Sequence, residues 1–195
     1  MAFFLPEMGE YVLELRFFSR SEAENNTSDY VVTVREAVEY ERLMSMAGYF
    51  GYTEQYVESI SAYSQVTEYA PDAPTPYLLQ NITYVKMLFN SPTYRTDSLA
   101  IWDDVVEPLD NATEVQAKEI ELEAFLQTFR LLEAEDQAIV VNNWRQMARL
   151  YATTVENDET SSDYDEVRLF NDAADFLETG VASDYLKENY RVLLP

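Results

Sequence analysis

From Leu109 to Thr179 the chain contains neither glycine nor proline, so over this span no backbone chemistry forces an α-helix to stop. The stretch opens with Asn111-Ala112-Thr113-Glu114, a spacing in which a cap side chain and a Glu carboxylate satisfy each other's orphan backbone donors. It closes on Gly180, a residue suited to the left-handed conformation that ends helices. Val115, Leu122, Phe125, Leu126, Phe129 and Leu132 form an apolar stripe that continues in phase through Val140, Trp144, Met147, Tyr151 and Val155. This pattern predicts a long central helix over about 111–155, about 65 Å in length. Glu133 and Asp136 fall on the stripe itself, so the alternative is a helical hairpin turning within 133–137. With no Gly or Pro at the turn, the continuous or merely kinked helix is the preferred reading.

The rest of the chain is arranged around this span. Tyr11, Leu13, Leu15 and Phe17 alternate with Glu14 and Arg16, the period of a half-buried strand, and the β-branched Tyr30–Val34 run is its natural partner. Thr33-Val34-Arg35-Glu36 reads as a capping box for a helix from Val34 to Ala47, broken by Gly48-Tyr49-Phe50-Gly51-Tyr52. Thr53 can cap a second helix over 54–68, which Pro71, Pro74 and Pro76 end in a stiff extended connection. Leu78, Ile82, Val85 and Phe89 mark a helix over 77–89, and Leu99, Trp102 and Val106 another over 98–106. After a polar loop at 157–163, Val167, Phe170, Ala174 and Leu177 form the stripe of a helix ending at Thr179. Ser183 then starts a last turn carrying Tyr185, Leu186 and Tyr190.

The fold class expected is mainly α (α+β): a helical bundle with the long central helix and an N-terminal two-stranded β ribbon. The length, 195 residues, suits one domain, with ribbon and two helices in 1–70, the proline-rich connection at 71–76, and the bundle in 77–195.

Composition narrows the chemistry. There are 36 Asp and Glu against 13 Lys and Arg, a formal charge of −23, and lysine stands only at Lys86, Lys118 and Lys187. At ordinary ionic strength such a charge repels itself enough to erode a marginal stability. In molar salt the Debye length falls to about 3 Å and the repulsion is largely screened. A lysine-poor acidic surface is thus explained most simply by a salt-saturated environment.

The chain has no cysteine and no histidine, which removes thiolate and imidazole nucleophiles, bases and metal ligands together. With glycine only at Gly9, Gly48, Gly51 and Gly180, no phosphate loop, dinucleotide fingerprint or nucleophile elbow can be built. Carboxylates remain, and Asp103-Asp104 or Asp163 with Asp165 could ligate a hard cation, but in so acidic a chain such pairs arise by chance. The Asn-x-Ser/Thr triplets at Asn25, Asn26, Asn81 and Asn111 are read as chance as well, because Met1–Pro6 lacks the basic region of an export signal and no apolar run approaches a membrane span. No cofactor and no small-molecule substrate is expected. Nor does the chain carry a basic stripe for direct nucleic-acid binding; of its scattered arginines only Arg145 and Arg149 share a helical face, where they should pair with acids.

What remains points to protein partners. Aromatic residues beside glycines at Tyr49, Phe50 and Tyr52 have the composition of an interface, although a turn whose rings cover the core is the simpler reading. Phe3, Phe4 and Leu5 at one end, with Leu193 and Leu194 at the other, lead to the expectation that the termini pack on neighbouring subunits. The function expected is a non-enzymatic structural or assembly protein of an extremely halophilic system, homo-oligomeric or part of a larger assembly. Its place would be the cytoplasm of a high-salt host or a virion, for instance as a head-tail connector or tail protein. The alternatives are an acidic DNA mimic that captures a nucleic-acid-binding protein and an enzyme with a carboxylate-held metal.

Overall fold

The proline cluster that the sequence marks as an extended connection begins a helix instead. A computed structural model describes residues 38–155 and 162–193, and among these every regular element is helical. In chain order they are α1 (Glu39–Tyr52), α2 (Tyr56–Tyr69), α3 (Pro74–Asn90), α4 (Arg95–Asp103), α5 (Val106–Asp110), α6 (Glu114–Phe129), α7 (Ala134–Val155), α8 (Ser162–Thr179) and α9 (Asp184–Asn189), closed by a 3₁₀ turn at Tyr190–Val192. The helical bundle holds. The β ribbon expected at 11–18 and 30–34, the first capping box at Thr33, and most of the loop expected at 157–163 lie outside the described residues.

Pro74 and Pro76 sit in the first turn of α3, where backbone N–H groups have no intrahelical partner to lose. α1 runs on through Gly48 and Gly51, where the sequence predicts a break. The reason lies in its packing on α2. Ser59 Oγ donates to the Ala47 carbonyl at 2.8 Å, and a Cβ at Gly51 would stand 3.2 Å from that same Oγ. Small residues at Ala47, Gly51 and Ser59 let the two backbones approach, and this contact outweighs glycine's cost of about 1 kcal/mol within a helix. Thr53, expected to start α2, closes α1: its Oγ1 donates to the carbonyls of Tyr49 and Phe50 at 3.0 and 3.2 Å.

The predicted helix over 111–155 is two helices, and the break falls at 130–133 rather than 133–137. The turn needs neither Gly nor Pro because it tightens into 3₁₀-type bonds, Leu131 N to Thr128 O and Leu132 N to Phe129 O, both 3.1 Å. Gln137 Nε2 then donates to the Leu132 carbonyl at 2.7 Å, satisfying a group the break would otherwise leave open. A continuous helix would carry Glu133 and Asp136 onto the buried stripe. Burying a carboxylate costs several kcal/mol, more than the one or two helical hydrogen bonds lost at the turn, at about 1 kcal/mol each. After the break Glu133 is exposed, and Asp136, half-buried, accepts the Tyr84 hydroxyl at 2.9 Å. Glu135 and Asp136 now stand in the first turn of α7, the end where the helix dipole favours negative charge. Nor are α6 and α7 a packed hairpin: α7 lies against α3 and α8, whereas α6 lies against α4 and α5.

Two further starts are displaced. The cap of α6 is Thr113, not Asn111, paired reciprocally with Gln116, whose Oε1 accepts from Thr113 N at 3.0 Å. The helix expected over 98–106 is divided into α4 and α5, Pro108 lies inside α5, and the buried residue of α4 is Ser98, while Leu99 and Val106 are exposed. The C-terminal part follows the sequence closely. Gly180 ends α8 at φ 77°, with its N–H on the Phe176 carbonyl at 2.7 Å. Ser183 caps α9 by accepting from Leu186 N at 3.0 Å. The main core runs through α3, α6, α7 and α8, with Leu88, Leu126, Met147, Ala174 and Leu186 almost wholly buried.

Candidate functional site

The buried face of α3 is not the predicted aliphatic stripe. Leu78, Ile82, Val85 and Phe89 are half-buried, while Gln80, Asn81, Thr83 and Tyr84 lie inside. Gln80 and Asn81 meet Asn143 of α7, whose Nδ2 donates to Gln80 Oε1 at 2.8 Å and to Asn81 Oδ1 at 2.9 Å. The seam continues outward. Gln80 Nε2 donates to the Ile60 carbonyl at 3.0 Å and to Ser64 Oγ at 2.8 Å, and Asn81 Nδ2 donates to the Val140 carbonyl at 3.2 Å. α2, α3 and α7 are therefore joined by a line of neutral amides, and no buried side-chain polar atom among the described residues lacks a partner. All its groups are neutral and mutually satisfied, which makes the seam a device for fixing helix register rather than a reactive centre. At 2% exposed, Asn81 is also closed to glycosylation, in keeping with its triplet being chance.

Charge is distributed in the opposite sense. Among the described residues no Asp or Glu is buried. Asp103 and Asp104 are exposed at the end of α4, and no group of three or more acids among the described residues is arranged to hold a metal ion. Arg145 does pair with acids as expected: its Nη2 contacts Asp175 Oδ1 at 2.5 Å and Glu178 Oε2 at 2.8 Å, tying α7 to α8. Lys187 Nζ meets Glu119 Oε1 at 2.9 Å, tying α9 to α6.

The residues predicted for an interface are scattered by the fold. Tyr49 and Phe50 are half-buried in the last turns of α1, ring edge against ring face with centroids 5.9 Å apart. Tyr52, next to them, is 88% exposed. Val57, 70% exposed on the first turn of α2, adds an apolar side chain at the same knuckle. That knuckle is held by Gln55 N on the Phe50 carbonyl at 2.8 Å and by Glu54 at φ 60°, a conformation uncommon for a residue with a Cβ. Leu193, in contrast, is 3% exposed and packs within the chain's own core, so its surface is not available to a neighbour. Phe3, Phe4, Leu5 and Leu194 lie outside the described residues.

A cavity of about 30 Å³ lies between α3, α6 and α7, beside Asn81, Phe129 and Trp144. It has room for a water molecule or two, not for a substrate. Together these features define a mainly α-helical protein with a neutral, hydrogen-bonded interior and an acidic exterior. Comparison with family models, with curated proteins and with solved structures finds no significant match to this chain. Among the described residues no helix is long and apolar enough to cross a membrane.

Proposed function

We propose that the chain is a non-enzymatic structural or assembly protein of an extremely halophilic system, acting through protein contacts as an oligomer or as part of a larger assembly in a high-salt cytoplasm or a virion. The observation that carries this reading is the separation of polar groups by charge. The described carboxylates all reach solvent, where a net charge of −23 is tolerable in molar salt, and the buried polar side chains are uncharged amides and hydroxyls. The exposed Tyr52 and Val57 at the α1–α2 knuckle supply apolar contact area of the kind assembly proteins use.

Circular dichroism at two salt concentrations tests the reading. A halophilic assembly protein loses its helical signal in dilute buffer and regains it in molar KCl. An acidic mimic of DNA from an ordinary host stays helical in dilute buffer and captures a nucleic-acid-binding protein most tightly there. That second result would replace the proposal.

A further inference from the structure

We propose that the face of α1 turned away from α2, from Val38 to Tyr49, is the docking surface for the chain's own segment 11–34, which lies outside the described residues. The proposal does not depend on the assembly reading, and it leaves the knuckle with Tyr52 and Val57 open. Of the 14 residues of α1 only Glu39, Glu41, Arg42 and Ser45 are charged or strongly polar. A helix apolar around most of its circumference is one covered on more than one side. Among the described helices, however, α1 packs mainly on α2. Leu43 and Ala47 are its buried residues, and Ala47 meets Ala62 and Tyr63 of α2. Tyr40, Met44 and Met46 are only half-buried, and Val38 is 56% exposed at the start of the helix.

The tether decides the occupant. Residues 1–37 run directly into Val38, and Tyr11, Leu13, Leu15 and Phe17 fall on one side of an alternating pattern that needs apolar surface to lie on. An extended 11–18 run spans about 26 Å, close to the length of α1 at about 21 Å. Val34 stands four positions before Val38, which holds the two within about 14 Å of each other. So short a tether gives the segment an effective concentration on the order of millimolar at α1, which a free second copy reaches only when the protein itself is that concentrated. Apolar burial also survives molar salt, which screens charge and leaves this contact intact.

Photo-cross-linking of the full chain in molar KCl tests this. The chain has no cysteine, so Gly48→Cys supplies a single thiol for benzophenone maleimide. Gly48 is exposed, one turn from Met44, and a Cβ there meets nothing within 4 Å. Irradiation should join the label to a peptide from 11–34, read by mass spectrometry, in a product that keeps the 22.6 kDa of one chain on a denaturing gel. Joined peptides in a product of twice that mass would put a second copy on the face, and joining to other segments alone would leave 11–34 away from it; either result overturns the proposal. Leu13→Asp with Leu15→Asp should lower the yield by about tenfold or more while the helical signal is kept. An unchanged yield would mean that the segment is near only because it is tethered, and the proposal fails. Should the double variant lose its helical signal, Ser45→Asp places the charge on α1 at a half-buried polar position and must give the same loss of yield.

Discussion

The Asn143 amide donates to Gln80 Oε1 and to Asn81 Oδ1 at once, at 2.8 and 2.9 Å, inside the contact between α3 and α7. Removing that one donor group leaves two buried oxygens short of a partner. Asn143→Leu should therefore cost about 2–4 kcal/mol, each unsatisfied group contributing about 1–3 kcal/mol. Replacing Gln80, Asn81 and Asn143 together by leucine should recover much of that loss, because no orphan remains. Urea unfolding of both variants in molar KCl measures the difference, and equal stability of the single and triple variants would contradict the seam's role.

Gly180 ends α8 at φ 77°, and a Cβ there would stand 3.2 Å from Leu126 Cδ2 and 3.4 Å from an Arg130 guanidinium nitrogen. Gly180→Ala carries a left-handed penalty of about 1–2 kcal/mol as well as the crowding. The midpoint of thermal unfolding should fall by several degrees, about 2–4 °C per kcal/mol for a chain of this size.

Tyr84 has its hydroxyl ionisation pushed above the ordinary range, first by burial and then by the hydrogen bond it donates to Asp136. A pKa raised in the folded state means that the folded form holds the proton more tightly. The tyrosine's contribution is then complete below its ordinary value of about 10 and is lost as pH rises above it, when the unfolded chain ionises first. Tyr63 and Tyr77 are raised by burial in the same sense. Stability measured by urea unfolding should fall above pH 10, and Tyr84→Phe should make that fall less steep.

Leu193 is part of the core rather than of a surface offered to a neighbour. Leu193→Ala should cost about 2–4 kcal/mol in unfolding and leave the sedimenting mass of the folded protein unchanged. A change of mass with unaltered stability would return the residue to an interface.

The C-terminal third was legible because there local and tertiary preferences agree. Phe170, Ala174 and Leu177 are buried at the predicted spacing, Gly180 is left-handed, and Ser183 caps the turn it precedes. Elsewhere the signal was present but carried by unexpected groups. Gln80, Asn81 and Asn143 lie off the predicted apolar stripes, and a single sequence does not reveal that three amides from distant positions satisfy one another. The break between Phe129 and Ala134 contains neither Gly nor Pro, yet Glu133 and Asp136 on the apolar stripe are its trace, because burying them costs more than the helical bonds lost at the turn. Gly48 and Gly51 marked a turn by local propensity, whereas the tight packing on Ser59 keeps Gly51 helical. Of the aromatic group expected at 49–52, Tyr52 is exposed while Tyr49 and Phe50 are half-buried, and the helix expected over 98–106 divides because a second short helix, with Pro108 in its first turn, begins at Val106.

The central claim is that this acidic chain works as part of an assembly in concentrated salt, and sedimentation in molar KCl addresses it most directly. The account predicts a folded species larger than the 22.6 kDa of one chain. A folded, homogeneous monomer that stays monomeric across the accessible concentration range would contradict it.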